Sequence, residues 1–180
     1  MKGEDFPLHE VEKAELGEDF KLALSRAFDG ANVFIVGPAG SGKTLMLRKL
    51  GLYLSRAGRR GIYVKLEWVK YGWGLSDYVS RYGARSRELT GLDGGADADL
   101  ILLDDGELVW GYRSAYRNLL RDLRGRQIIA AFREIDMDAA ALLFGDGFVI
   151  YLRGETTEAP VAKSPFGFAF LNKSAEIIVI

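Results

Sequence analysis

The sequence predicts an α/β fold: a three-layer sandwich in which a mainly parallel five-stranded sheet lies between helices. Five short apolar runs of strand length alternate along the chain with amphipathic segments of helical period. Consecutive strands that are separated by a helix pair in parallel through right-handed crossovers. The apolar runs are residues 33–36, 62–66, 100–103, 128–132 and 148–152.

The segments around these strands follow from local signals. Residues 1–17, which we call the N-terminal arm, mix acids with a few apolar residues and are expected to form a loose arm or a short β or turn element. Asp29-Gly30 marks a turn after the first helix. The helical pattern covers residues 18–28, 43–57, 75–89, 112–123 and 138–144.

The pattern changes after the fifth strand. Two apolar runs, residues 166–171 and 177–180, flank a turn at residues 172–174, which predicts a C-terminal antiparallel β-hairpin within residues 160–180. No linker divides the chain, so we expect a single domain over residues 1–180 with its core at residues 18–153.

Composition narrows the possible chemistry. The chain has 180 residues, a net charge of −1, no cysteine and one histidine. Disulfides, zinc–thiolate sites, a cysteine nucleophile and a Ser-His-Asp triad are therefore excluded, and His9 is expected to be an exposed N-terminal residue. Because the sequence has no membrane-spanning apolar run and no signal-peptide pattern, we expect a cytoplasmic protein that does not contact a membrane.

A phosphate-binding motif follows the first strand directly. Residues 37–44 fit G-x-x-x-x-G-K-[ST], and an amphipathic helical segment comes next, which is the context that this motif requires. The glycines let the backbone curl so that N–H groups point at phosphate oxygens, and the opening helix adds its positive end. Lys43 is expected to reach the β- and γ-phosphates and the Thr44 hydroxyl to bind Mg²⁺. This loop, the P-loop, consists of Gly37, Pro38, Ala39, Gly40, Ser41, Gly42, Lys43 and Thr44.

A second motif lies about sixty residues further along, at the end of the third strand. Four apolar residues lead into Asp104 and Asp105, as in a Walker B strand. A carboxylate delivered to the carboxyl edge of a parallel sheet can hold Mg²⁺, directly or through its waters, opposite Thr44. We therefore assign Asp104 to the metal; the alternative is an acid that merely ends a strand.

Together the two motifs resemble those of the P-loop NTPase superfamily, in the ASCE branch that contains the AAA+, STAND and RecA/KaiC-like ATPases. The resemblance covers about residues 32–153 and does not select one family. AAA+ and STAND-like ATPases carry an acid directly after the Walker B aspartate, where Asp105 stands. RecA/KaiC-like ATPases place a glutamate at the end of the second strand, where Glu67 stands. Both acids are therefore candidates for the base that activates water.

The same resemblance points to two further residues. Arg133, at the end of the fourth strand, stands where these ATPases keep a sensor of the γ-phosphate; the alternative is a surface salt bridge. Lys163 stands where RecA/KaiC-like proteins supply a finger to a neighbouring subunit. The motifs of GTP-binding proteins fail here, because Asn172-Lys173 is followed by no aspartate and Asp104-Asp105 does not complete D-x-x-G. ATP is the expected nucleotide, with Mg²⁺.

These features predict a small P-loop ATPase that hydrolyses Mg-ATP. One alternative is a nucleotide or small-molecule kinase, in which arginines of residues 81–87 close over the phosphates; a second is a binding module that uses ATP without turnover. A homo-oligomer and a nucleic-acid partner stay open. Two features bear on such partners: an arginine stripe (Arg113, Arg117, Arg121 and Arg124) and an aromatic cluster (Trp68, Tyr71, Trp73, Tyr78 and Tyr82). A solvated helix face and core packing are their alternatives.

Overall fold

A computed structural model describes residues 3–153, 169–172 and 175–179 of the chain, and it confirms the predicted α/β sandwich. The strands are β1 Asn32–Val36, β2 Gly61–Lys65, β3 Leu100–Asp104, β4 Gln127–Phe132, β5 Gly147–Leu152, β6 Ala169–Asn172 and β7 Ala175–Val179. The helices are α1 Leu8–Lys13, α2 Glu18–Phe28, α3 Lys43–Arg56, α4 Leu75–Thr90, α5 Leu108–Gly111, α6 Arg117–Asp122 and α7 Met137–Phe144.

Five strands form a parallel sheet in the order β2-β3-β4-β1-β5. The register pairs Val36 of β1 with Phe132 of β4 and with Tyr151 of β5, and it pairs Lys65 of β2 with Asp104 of β3. Because the five strands run in one direction, their carboxyl ends meet at one edge of the sheet. Ligands of open α/β sheets bind at this edge, and both sequence motifs lie there.

Two further strands extend the sheet beyond β5. Strand β7 pairs antiparallel with β5, and β6 pairs antiparallel with β7. The predicted hairpin at residues 166–180 depends on residues 166–168, 173, 174 and 180, which lie outside the described part of the chain. The hairpin therefore stays a prediction.

Apolar side chains fill both faces of the parallel sheet. In β1, Val33 and Ile35 pack on the face that α2 and α3 cover, whereas Phe34 and Val36 pack on the opposite face with α6 and α7. All four side chains are at most 2% exposed. Burial on both faces explains why the strands appear in the sequence as continuous apolar runs and not as alternating patterns.

The free edge of β2 is closed by side chains of α4. The Tyr63 N–H donates to the Ser86 hydroxyl at 2.7 Å, and the Lys65 N–H donates to the Tyr78 hydroxyl at 3.0 Å. These are the outward N–H groups of an edge strand, which would otherwise be open to pairing with another chain. Tyr78, one residue of the predicted aromatic cluster, therefore packs against the edge of the sheet, which agrees with core packing as the explanation for this residue.

Two segments differ from the sequence prediction. The N-terminal arm contains a helix, α1, instead of a loose or β element. The helix predicted at residues 112–123 forms only in its second half, as α6, and a turn at residues 113–116 takes the place of its first half. The carbonyl of Ala115, which a continuous helix would use, instead accepts the N–H of Gly72 at 3.1 Å. Among the described helices, none combines the length and the apolar composition that crossing a bilayer requires.

Asn32 connects three strands at the amino-terminal edge of the sheet. Its amide group donates to the carbonyls of Phe144 (2.8 Å) and Asp146 (3.0 Å), which precede β5, and its side-chain oxygen accepts the Ile128 N–H of β4 at 2.8 Å. One side chain thus satisfies two carbonyls and one N–H from distant parts of the chain. It fixes the position of β1 between its two neighbours, and β1 leads into the P-loop.

We expect Asn32→Ala to lower the free energy of unfolding by about 2–4 kcal/mol, because three hydrogen bonds are lost and a strand N–H is left without its partner. Urea unfolding measures the change. Asn118→Ala is the matched control, since Asn118 donates one such bond, to the Gly72 carbonyl at 2.7 Å, and should cost about 1 kcal/mol. Equal losses in the two variants would contradict the role assigned to Asn32.

Candidate nucleotide-binding site

The P-loop has a backbone path that only glycine allows at three positions. A Cβ on Gly37 would lie 2.6 Å from the Ser41 hydroxyl and 2.8 Å from the Leu152 carbonyl oxygen. Gly40 and Gly42 adopt φ values of +79° and +89°, in the left-handed region that side chains disfavour. The loop therefore keeps a tight curl that leaves backbone N–H groups available to an anion.

Lys43 begins α3, and its side chain folds back over the P-loop. The ammonium group donates to the carbonyls of Gly37 at 2.6 Å and Pro38 at 2.7 Å. Burial lowers the pKa of Lys43, and the nearby carboxylates of Glu107 and Asp104 oppose this shift. A positive charge thus stands above the loop at the amino end of a helix, where an anion is doubly favoured.

Asp104 is the buried centre of the site. One of its carboxylate oxygens, Oδ2, accepts hydrogen bonds from the Thr44 hydroxyl at 2.8 Å and from the Tyr63 hydroxyl at 2.7 Å. Asp104 is 2% exposed. Burial and the Asp104 carboxylate raise the pKa of Tyr63 well above its ordinary value, so Tyr63 stays a donor. A hydroxyl and a carboxylate oxygen at hydrogen-bond distance form the kind of donor set that fits Mg²⁺.

Lys65 joins three carboxylates beside Asp104. Its ammonium nitrogen lies 3.0 Å from Asp105, 3.0 Å from Glu4 of the N-terminal arm and 3.8 Å from Glu67. Burial alone would lower the pKa of Lys65, but the carboxylates of Asp104 and Asp105 raise it above its ordinary value. Lys65 is therefore a permanent positive charge inside a group of acids.

The two acids predicted as candidate bases have different environments. The Asp105 side chain is 26% exposed, whereas that of Glu67 is 64% exposed. The backbone of Asp105 has φ of +59°, which is uncommon for a residue other than glycine and is often found at functional sites. Burial, and then the charge of Asp104, raise the pKa of Asp105, while Lys65 opposes the shift. The structure places both acids in the site and aims Asp105 at Lys65.

Arg133 lies at the end of β4 as predicted, and Glu107 holds it. The Glu107 carboxylate accepts the backbone N–H of Arg133 at 3.0 Å, and its other oxygen lies 3.9 Å from the Arg133 guanidinium Nε. The preceding residue, Gly106, donates to the Ala131 carbonyl at 2.8 Å, and Trp110 stacks on the Phe132 ring at 5.5 Å. The turn after β3 is thus fastened to the end of β4.

The N-terminal arm reaches the same site and is held there by α3. Arg48, which is 1% exposed, donates to the carbonyls of Gly3 at 2.6 Å and Phe6 at 2.7 Å. Further along the arm, Lys49 donates to the Ala14 carbonyl. A Cβ on Gly3 would lie 3.0 Å from the Thr44 Cβ, so the arm packs directly on the end of the P-loop.

These elements enclose a cleft of about 640 Å³, a volume typical of small-molecule sites. In the described part of the chain, its charged lining consists of five acids and three bases, so these residues give the cleft two more negative than positive charges. The acids are Glu4, Glu67, Asp104, Asp105 and Glu107, and the bases are Lys43, Lys65 and Arg133.

The sequence prediction missed four charged residues of this region: Glu4, Arg48, Lys65 and Glu107. Glu107 follows Asp104 by three positions, and an acid in the turn after the strand was the available signal. Lys65 is a lysine within an apolar strand, which is also a visible anomaly. Arg48 and Glu4 gave no such signal, because their contacts join segments more than forty positions apart.

The residues considered for partners have mixed positions. Trp68 stacks on Tyr82 at 5.1 Å and Tyr78 is buried, so these aromatic side chains pack together. Tyr71 is 77% exposed. The arginines of the stripe are exposed, although only Arg117 and Arg121 lie on α6. Lys163 lies outside the described residues, so its role stays a prediction.

Solved structures with a similar fold exist, whereas no family model and no curated protein matches the sequence. A DNA replication initiation factor aligns at 21% identity with a TM-score of 0.53. DnaA from Aquifex aeolicus, bound to AMPPCP, aligns at 22% identity with a TM-score of 0.50. The replication initiator DnaA bound to AMPPCP and single-stranded DNA aligns at 21% identity with a TM-score of 0.52.

Each of these alignments covers 78% of this chain and 48% of the other, so the chain spans about half the length of the proteins that it resembles. At such identities the likeness concerns the fold alone. It agrees with the resemblance carried by the two sequence motifs, and the chain has a P-loop NTPase fold.

Proposed function

We propose that this protein binds ATP as its magnesium complex and hydrolyses it. The observation that carries the proposal is the 2.8 Å hydrogen bond between the Thr44 hydroxyl and Asp104. It joins the P-loop to the acid at the end of β3, two parts of the chain that were assigned to one metal from sequence. The cleft beside them is large enough for a nucleotide.

Each part of the site has a definite task in this proposal. The P-loop N–H groups and the amino end of α3 bind the phosphates, and Lys43 exchanges the carbonyls of Gly37 and Pro38 for phosphate oxygens. Thr44 and Asp104 would hold Mg²⁺, which neutralises charge on the phosphates. Arg133 stabilises the charge of the transferred phosphoryl group.

The charge of the cleft supports binding of the nucleotide together with its metal. The described residues of the lining include five acids and three bases, so a bare triphosphate enters a region that these side chains already make negative. One divalent cation offsets the excess of two negative charges. Binding to the metal-free nucleotide is therefore expected to be weak.

We expect Lys43→Ala to lower kcat/KM for ATP hydrolysis by about 100-fold or more, because a charged donor to the phosphates is lost. Removing Mg²⁺ with a chelator should abolish measurable binding to the wild-type protein. Phosphate release and calorimetric titration with the analogue AMPPCP measure the two effects. Lys21→Ala is the control, because Lys21 pairs with Glu18 on the surface of α2. Unchanged turnover in Lys43→Ala would contradict the proposal.

Asp105 is our choice as the water-activating base, with Glu67 as the alternative. Asp105 is half-buried next to Asp104, and its 3.0 Å ion pair with Lys65 holds the carboxylate in one position. Glu67 is mostly exposed, and its carboxylate comes no nearer than 3.8 Å to the same ammonium group. A positioned carboxylate is the more effective general base.

We expect Asp105→Asn to lower kcat by about 100-fold or more and Glu67→Gln to lower it by less than about fivefold. Steady-state phosphate release measures both. The two variants control for each other, since each removes one charge beside Lys65 and keeps the shape of the side chain. The reverse pattern would assign the base to Glu67.

Glu107 is proposed to aim Arg133 at the phosphoryl group. Glu107→Gln keeps an oxygen that can accept the Arg133 N–H but removes the charge near the guanidinium. We expect kcat to fall about tenfold with a smaller change in KM, as for a charge that acts mainly in the transition state. Glu134→Gln, which changes the exposed acid next to Arg133, should have no effect. Wild-type kinetics in Glu107→Gln would contradict the role in aiming Arg133 and would leave Glu107 only as an acceptor for the backbone N–H of Arg133.

A binding module without turnover is the second candidate, because the ion pair with Lys65 engages the Asp105 carboxylate and opposes the rise in its pKa. Tight AMPPCP binding with no phosphate release would select it.

The kinase alternative has no comparable support: Arg85 and Arg87, which would close over the phosphates, pair with Glu88 and Asp93 on the surface. Nucleic acid and a second copy of the chain stay proposed partners. A structural neighbour was solved with single-stranded DNA, and the exposed Tyr71 and arginines offer a surface for it.

A further inference from the structure

Arg48 is a buried cation that ATP hydrolysis, as proposed above, does not use. It is 1% exposed, and its three hydrogen bonds go to backbone carbonyls: Leu89 at 2.9 Å, Gly3 at 2.6 Å and Phe6 at 2.7 Å. Burying a guanidinium group without a carboxylate partner is costly unless its donors are well satisfied. The bonds to Gly3 and Phe6 lie on either side of Glu4, so Arg48 fixes the segment that carries this acid.

The hydrogen bonds from Arg48 to the arm place Glu4 in the lining of the cleft. Its side chain is 17% exposed and lies 3.0 Å from the Lys65 ammonium nitrogen, which also lies 3.0 Å from Asp105. Among the described residues that line the cleft, Glu4 is the only acid that comes from outside the carboxyl edge of the sheet. The core of the site would be complete without it, yet the arm adds a negative charge close to Asp104 and Asp105.

We propose that Glu4 is a specificity-determining residue of the nucleotide site, which lowers the affinity for a nucleoside triphosphate more than for a diphosphate. The inference rests on the proposed binding of Mg-ATP. Lys43, Thr44 and Asp104 define the side of the cleft where the γ-phosphate and its metal belong, and Lys65 stands next to Asp104. The Glu4 carboxylate pairs with the Lys65 ammonium group, so that this positive charge is less available to a phosphate. The negative charge of Glu4 also repels the γ-phosphate, which a diphosphate lacks.

A structural role alone gives a different expectation. If Glu4 only fastened the arm, its loss would lower stability and would change the affinities for both nucleotides equally or not at all. If its charge acts on the γ-phosphate, Glu4→Gln tightens triphosphate binding selectively. The sign of the effect and its dependence on the γ-phosphate therefore separate the two roles.

The test measures the Kd of Mg-AMPPCP and Mg-ADP by calorimetry for the wild type, Glu4→Gln and Glu12→Gln. Glu12 is the matched control, because it is an acid of the same arm and pairs with Arg56 of α3 at 2.7 Å on the surface. We expect Glu4→Gln to bind AMPPCP about tenfold more tightly, the size of one unit charge at close range in a partly solvated site, and ADP less than about threefold more tightly. Glu12→Gln should stay within about twofold of the wild type for both.

Each other outcome is decisive. Unchanged or weaker AMPPCP binding in Glu4→Gln, or an equal gain for ADP, overturns the inference while leaving the proposed function intact. The same gain in Glu12→Gln overturns it too, because the effect would then come from loosening the arm. A wild type that binds neither nucleotide removes the proposed function, and the inference with it. Thermal unfolding of all three proteins checks that each is folded at the temperature of the titration.

Discussion

The buried carboxylate of Asp104 is the point on which the site depends. Its Oδ2 atom receives the hydroxyl groups of Thr44, from α3, and Tyr63, from β2, while the residue itself ends β3. Helix, edge strand and central strand are thereby fixed at one atom at the carboxyl edge of the sheet. A buried charge is tolerated only with such donors. Because α3 follows the P-loop without a break, the position of Asp104 also sets where the loop stands relative to a metal.

Charge is unevenly distributed at the same edge of the sheet, where acids outnumber bases among the described residues that line the cleft. Lys65 balances acids from the segment after β2, the turn after β3 and the N-terminal arm, whereas Lys43 donates to P-loop carbonyls and Arg133 to Glu107. Each cation is engaged by protein groups that a phosphate can replace. In the proposed function, binding a nucleotide would exchange internal contacts for phosphate contacts, so the net gain in free energy would be smaller than the number of contacts suggests.

The strands and the P-loop were predictable because their signals are local. The five apolar runs match β1 to β5 within about one residue, and the P-loop motif predicts the strand before it and the helix after it. The division of residues 112–123 into a turn and α6 was not predictable, because the Gly72 N–H that takes the Ala115 carbonyl comes from a distant loop. For the same reason the sequence predicted Thr44, Asp104 and Arg133 but not Tyr63, which donates to Asp104, or Glu107, which accepts the Arg133 N–H. Glu107 and Lys65 act through partners that only the fold brings close.

Arg48 links the arm to the site through one helix. Arg48 and Lys49 of α3 hold the carbonyls of the arm, and Thr44, at the start of α3, holds Asp104. Any effect that the arm has on nucleotide affinity must be reciprocal, because linkage requires that two binding events change each other by the same free energy. If Glu4 opposes the γ-phosphate, a bound triphosphate must weaken the Glu4–Lys65 contact by an equal amount. The docking of the arm would then report on which nucleotide occupies the site, without any further device in the fold.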